Sequence, residues 1–278
     1  MRTLSVDLVK EKVVGLCVRA NLYLRPDVLK ALRQAYKAET KKQARGFLKA
    51  IIDNALIARQ EKLAICQDTG MPMVFLDVGR NLHISGNLKS AVNKGVELGY
   101  KKACLRNSIV KDPLQRGVSG YAPAVMHIDI VQGSKLKITV LPKGFGCENK
   151  SRLKMFKPTA GIEEIKKFII DTVRDAGPDA CPPYVVGVGI GGTADYAGLL
   201  AKKALLKKVT KPPSHQVTSR IEKELLKEIN RLNIGPMGLG GKTTALGVNI
   251  LTYPTHIAGM PVAVNISCHA LRSATMEL

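Results

Sequence analysis

Helix-forming and strand-forming stretches alternate along this chain, after an N-terminal block of about 60 residues that reads as mostly helical. From Ser5 to about Leu24, and again from Pro26 through Ile57, apolar residues recur at helical spacing, as in Leu29, Leu32, Ala35 and Ala38. Met71 to Val78 is then a run of β formers ending at Gly79, which predicts a strand. Ser90 to Leu105 returns to helical spacing. Met126–Val131 and Lys135–Val140 alternate around Gln132-Gly133-Ser134, which predicts a hairpin with a Gly-bearing turn. A second such half follows, with a helix Ile162–Ala176, a strand Tyr184–Ile190 and a helix from about Asp195 to Lys208 closed by Pro212-Pro213-Ser214. Thr218 to Leu232 is read as a helix with Thr218 or Ser219 as N-cap. The last stretch is Gly-rich, with strands at Thr244–Leu251 and Pro261–Ile266. The fold class is therefore mixed α/β, with helices packed around mixed β-sheet, an N-terminal helical region and a Gly-rich C-terminal region. No linker or repeat stands out, so residues 1–278 are expected to form one domain with a soft subdivision near Gly161.

With 278 residues and 45% hydrophobic side chains, the chain is long enough to bury a large core. No apolar run approaches the roughly 20 residues that span a bilayer, and no cleavable leader pattern precedes Asp7, so a cytoplasmic protein is expected. The 43 Lys and Arg against 22 Asp and Glu give a net charge of +21, which attracts anions of any size. A nucleic-acid-binding or scaffold protein is thus one reading. Against it, aromatics are 4% with no Trp, and the basic residues are scattered rather than interleaved with stacking side chains.

Two Gly-rich segments invite nucleotide readings. Gly187-Val188-Gly189-Ile190-Gly191-Gly192 satisfies G-x-G-x-x-G between a strand and a helix. About 20 residues on, however, stand Lys207, Lys208 and Lys211, where NAD binding requires an acid, so only an NADP-dependent oxidoreductase survives as an alternative. The rival explanation is a tight strand-to-helix turn packed close to another backbone or a ligand. Gly235-Pro236-Met237-Gly238-Leu239-Gly240-Gly241-Lys242-Thr243-Thr244 suggests a phosphate loop, but the register puts Pro236 where the first Gly belongs and a helix, not a strand, precedes it.

The six cysteines (Cys17, Cys66, Cys104, Cys147, Cys181 and Cys268) include no C-x-x-C pair, and spacing alone does not reveal a metal site. Each can be a buried apolar residue instead. Cys66-Gln67-Asp68-Thr69-Gly70 differs in kind, because it packs a thiol, an amide, an acid and a hydroxyl just before a strand.

Taken together, Cys66-Gln67-Asp68-Thr69-Gly70, Cys181-Pro182-Pro183 through Gly191-Gly192-Thr193, and the Gly235–Gly241 segment resemble the N-terminal part of class I fumarases and the α subunit of tartrate dehydratase. Lys143-Gly144-Phe145-Gly146-Cys147-Glu148-Asn149-Lys150, His256-Ile257-Ala258, and Pro261-Val262-Ala263-Val264-Asn265 leading to Cys268-His269 extend the likeness from about residue 5 to the C-terminus. The resemblance implies a hydro-lyase of fumarate and L-malate, or of L(+)-tartrate, with a [4Fe-4S] cluster on Cys66, Cys181 and Cys268. It further implies that Arg106, Gln67, Asp68 and the backbone near Gly144 and Gly146 bind a small dicarboxylate, with Asp68 as the catalytic proton relay. Cys147 is then a non-ligand near the site, and Cys17 and Cys104 are helix-packing residues. The chain ends at Leu278, where single-chain relatives continue into a further domain. The implied partner is a β subunit that carries that domain and the catalytic base, in an αβ heterodimer or (αβ)2, with little turnover by this chain alone.

Overall fold

A computed structural model describes residues 2–209 and 216–278. In chain order the elements are β1 (Arg2–Ser5), α1 (Val6–Leu22), α2 (Pro26–Ala38), α3 (Lys42–Glu61), β2 (Met71–Gly79), β3 (Leu82–Ser85), α4 (Leu88–Lys102), β4 (Ile109–Asp112), β5 (Arg116–Gly120), β6 (Val125–Val131) and β7 (Leu136–Lys143). There follow α5 (Phe145–Glu148), β8 (Arg152–Phe156), α6 (Ile162–Ala176), β9 (Tyr184–Gly192), α7 (Ala194–Leu206), α8 (Gln216–Arg231), β10 (Ala245–Thr255), β11 (Met260–Ser267) and β12 (Ala274–Glu277). The mixed α/β class is as the sequence implied.

The chain forms two compact units. One comprises residues 1–24, 55–145 and 272–278; the other comprises 25–54 and 146–271. Gly161, near which a soft subdivision was expected, lies in the second unit, between β8 and α6.

Each unit is centred on one nine-residue strand with neighbours of both directions. In the first, the sheet order is β12-β7-β2-β6, with β6 parallel and β7 antiparallel to β2. In the second, the order is β10-β9-β11-β8, with β10 parallel and β11 antiparallel to β9. The connectivity is the same in both: a central strand, then a parallel edge strand, then a return on the other side of the centre. The continuous apolar runs Val74-Phe75-Leu76 and Tyr184-Val185-Val186 are buried accordingly, as strands covered on both faces require.

The hairpin expected between β6 and β7 is therefore a misreading. Both strands exist, but β2 lies between them, and the intervening loop wraps the exit of β2. Gly79 donates to Lys135 O at 2.8 Å, Arg80 to Val131 O at 2.9 Å and Asn81 to Gly133 O at 3.0 Å. A short turn signal shows that the chain reverses, not that its flanking strands touch.

Other differences have local causes. The helical stretch Pro26–Ile57 is two helices, broken at Glu39-Thr40-Lys41. Glu39 is 2% exposed, and its Oε1 accepts the N–H groups of Thr40 and Lys41, each at 2.9 Å. Its Oε2 accepts Lys242 N–H at 2.7 Å. The carboxylate thus competes with helical hydrogen bonding and wins. Ser5 ends a short strand before it caps α1, accepting from Asp7 N–H at 3.1 Å. Thr218 and Ser219 lie inside α8 rather than at its cap, and the expected stop at Pro212-Pro213-Ser214 falls outside the described residues. At the C-terminus of α7 a neighbouring chain segment supplies the cap. Arg25 donates to Leu205 O at 2.7 Å and to Lys207 O at 2.8 Å, while pairing with Asp27 at 2.6 Å.

The glycine run on β9 has a packing explanation. A Cβ at Gly187 would lie 2.2 Å from Ala201 O, and one at Gly189 would lie 2.1 Å from Ala197 O, so α7 rests directly on the strand backbone. Gly189→Ala is expected to cost about 2–3 kcal/mol through overpacking. Chemical denaturation that left its midpoint unchanged would refute this account of the run.

Candidate functional site

The loop that carries the densest chemistry, Ile65 to Gly70, joins α3 to β2 within the first unit. Its side chains are reachable: Cys66 and Asp68 are half-buried, Gln67 is exposed, and Thr69 and Gly70 are buried beneath them. Four groups hold the loop. Ile65 N–H donates to Asn21 O at 3.0 Å, the Arg272 guanidinium donates to Asp68 O, Tyr100 O–H donates to Thr69 O at 3.0 Å, and Thr69 Oγ1 donates to Arg106 O at 3.3 Å. Gly70, at φ +75°, packs on the end of β7, where a Cβ would lie 2.8 Å from Lys143 N.

The Asp68 carboxylate is fixed separately from its backbone. Oδ1 accepts Gly70 N–H at 3.0 Å and Oδ2 accepts Phe145 N–H at 2.8 Å. Since an ionised carboxylate has about four lone-pair directions, acceptor capacity remains for a ligand. A Cβ at Gly144 would stand 3.1 Å from Asp68 Oδ2, so glycine there keeps the carboxylate uncrowded. Arg106 is exposed just beyond α4, its backbone tied to Thr69. In the first unit, then, Cys66, Gln67, Asp68, Arg106 and Gly144 belong to one locally braced set. Gly146 lies in the second unit, exposed, with open space at its Cβ position, so packing gives no reason for glycine there.

In the second unit, Cys181 and Cys268 come from segments that are hydrogen-bonded to each other. His269 N–H donates to Cys181 O at 3.4 Å, and His269 Nδ1 lies 3.0 Å from the same oxygen, which requires the Nδ1–H tautomer because a carbonyl only accepts. Cys181 is exposed and has φ +57°, a left-handed conformation uncommon outside glycine. Its surroundings fix it: Cys181 N–H donates to Pro178 O at 3.2 Å, and Met237 N–H donates to Pro182 O at 2.9 Å. The Gly235–Gly241 segment is thus a buttress for the cysteine turn. Its amides are spent internally, Gly240 on Ile234 O at 2.8 Å and Gly241 on Asn233 Oδ1 at 2.9 Å. With Glu39 already accepting Lys242 N–H, a phosphate would meet used donors and a carboxylate.

The six cysteines, none of them in a disulfide, separate by environment. Cys17 is fully buried in the first core, and burial pushes its thiol up to about 12. Cys147 is buried, and its thiol donates to Ala180 O at 3.3 Å. Cys66 and Cys268 are half-buried and Cys181 is exposed, each on a loop between elements. Among the described residues no group of three or more His, Cys, Asp or Glu is arranged to cage a single metal ion. Cys104 corrects an expectation: it is exposed at φ +51° just past the end of α4, not packed within a helix. Sequence reasoning also missed Asn21, Tyr100 and Arg272, which hold the loop. Isolated polar residues in unrelated segments leave no motif to read.

The chain belongs to the fumarate hydratase (Fumerase) family, whose model matches residues 10–277. Over 277 residues it is 42% identical to a Methanocaldococcus jannaschii protein provisionally named L(+)-tartrate dehydratase subunit alpha, covering 97% of each chain. It is 31% identical over 278 residues to the L(+)-tartrate dehydratase subunit alpha of Escherichia coli strain UTI89, covering 99% of this chain and 92% of that one. The subunit alpha of Shigella sonnei is likewise 31% identical, over 276 residues. This relationship displaces the nucleic-acid, scaffold and oxidoreductase readings. Among the described residues no helix is long and apolar enough to cross a membrane.

In the folded chain at pH 8, iodoacetamide should label Cys104 and Cys181 but spare Cys17 until denaturant is added. With its titration at about 12, only about one Cys17 in ten thousand is thiolate at that pH. Peptide mapping that found Cys17 modified as fast as Cys104 would contradict its assigned burial.

Proposed function

We propose that this chain is the cluster-bearing subunit of a cytoplasmic hydro-lyase that interconverts fumarate and L-malate by reversible hydration. The single observation that carries the reading is the Cys66–Gly70 loop in a chain of this family: a reachable thiol, amide and acid on one segment, with an arginine braced to it. The names of the relatives favour a second reading of the same site, the dehydration of L(+)-tartrate.

In this proposal Cys66, Cys181 and Cys268 hold a [4Fe-4S] cluster, which when bound supplies a Lewis-acid iron for the C–OH group being made or broken. The chain's own residues do the rest of its share. Arg106 presents a planar fork that matches a carboxylate with two parallel hydrogen bonds, which sets the orientation of a dicarboxylate. Gln67 contributes an amide donor beside it. Asp68, its carboxylate aimed by Gly70 and Phe145 N–H groups, holds or releases the proton associated with the hydroxyl. Backbone at Gly144 and Gly146 can approach the ligand without a Cβ in the way. Proton removal from the neighbouring carbon, and the second carboxylate contact, fall to a β subunit, in keeping with relatives that are named alpha subunits. The assembly is an αβ pair or (αβ)2, and this chain alone turns over little substrate.

Anaerobic reconstitution of the full chain should yield bound iron and sulfide with broad visible absorbance, and Cys181→Ser should lose most of both. Undiminished cluster content in Cys181→Ser would defeat the ligand assignment. With a β-type partner co-expressed, assays on fumarate, malate and both tartrates decide the substrate. In that complex Arg106→Lys should lower kcat/KM by about 10- to 100-fold, because a point charge cannot reproduce the fork. A change below about twofold would remove Arg106 from the site.

A further inference from the structure

Arg272 is 3% exposed, in a protein whose other arginines almost all reach solvent. Burying a guanidinium costs several kcal/mol unless oriented dipoles answer it, so its position demands a structural return. The return is visible in its partners. One terminal nitrogen donates to Asp68 O, and Nε donates to Asn21 Oδ1 at 3.4 Å. Asn21 is itself 1% exposed, donates to Cys17 O at 3.0 Å, and offers its own carbonyl to Ile65 N–H at 3.0 Å. Two residues after Arg272 begins β12, paired with β7 from Ala274↔Val140 to Glu277↔Lys137, so the guanidinium is carried on a segment registered in the first unit's sheet.

We propose that Arg272 is a positioning residue for the Cys66–Asp68 segment. The segment is gripped at one end by Asn21 through Ile65 and at the other by Arg272 through the Asp68 carbonyl. Fixing that carbonyl sets the Asp68–Thr69 peptide plane, and with it the directions in which the Cys66, Gln67 and Asp68 side chains leave the loop. Arg272 acts through the segment and is not itself assigned contact with substrate. The proposal rests on reading that segment as the site.

The test uses the full-length, metal-free chain, with iodoacetamide as the probe and peptide mapping of Cys66 and Cys104 as the readout. In folded Arg272→Met, Cys66 should be labelled about tenfold faster than in the parent chain through local opening of the loop, with Cys104 unchanged. Arg272→Lys, which keeps the charge and loses the fork, should fall between, and it carries the test if Arg272→Met does not fold. Unchanged Cys66 labelling in the folded variants would overturn the proposal, as would a parallel rise at Cys104, which signals general loosening. Failure of the parent chain to take up iron would sink the proposed function and leave this contrast intact. Normal iron uptake with unchanged Cys66 labelling would sink this inference alone.

Discussion

The central strands of the two units, β2 and β9, are apolar on both faces, and that double burial governs where the chemistry can lie. A strand buried on both sides must be flanked by partners and covered by helices, so its side chains are unavailable to a ligand and only its ends open to one. The loop thiols obey this. Cys66 stands five residues ahead of β2 and Cys181 three ahead of β9, each at the entry of its unit's central strand, while Cys268 follows the last residue of β11. The same connectivity, built twice, thus offers an equivalent foot of a central strand in each unit.

Polar supports, not apolar packing, determine how such a strand-foot loop is held. The Ile65–Gly70 loop takes its geometry from carbonyls of its own that accept from Tyr100 and Arg272, and from amides that donate to Asn21 and Asp68. The Cys181 turn takes its geometry from His269, Pro178 and the glycine-rich buttress. Buried hydrogen bonds of this kind contribute about 1 kcal/mol each but are costly to leave unmade, so they specify one conformation more strongly than they stabilise it. For Tyr100, whose hydroxyl is buried and whose titration is pushed upward by that burial, the phenol stays protonated and stays a donor.

What could be read in advance followed from local physics. The run Met71–Val78 announced a strand because β formers cluster there and stop at Gly79. The loop Cys66–Gly70 stood out as a candidate site because thiol, amide, acid and hydroxyl gather there at an element boundary. Non-local facts were not legible. The β6–β7 pairing failed because nothing in Gln132-Gly133-Ser134 says that β2 will occupy the gap. The short edge strands β1, β8 and β12 take their identity from partners far away in sequence, β8 being exposed along most of its length. The break at Glu39 depends on Lys242, some two hundred residues on. Gly187 and Gly189 matched a nucleotide motif because close approach of a backbone is the shared requirement, and here the approaching backbone is α7 rather than a pyrophosphate.

The division of labour within the Asp68 loop bears on how such a site stays competent before a ligand arrives. A proton-handling carboxylate that had to rotate into place would lose much of the advantage of a held reactant. Asp68 is constrained through its carbonyl by Arg272 and through both carboxylate oxygens by the amides of Gly70 and Phe145, which leaves little rotation about its side-chain torsions. Gln67, one residue away and exposed, carries no comparable brace among the described hydrogen bonds, which suits the adaptable ligand contact that the proposed function assigns to it. Under the proposed function, rigidity is thus concentrated on the group assigned to handle the proton.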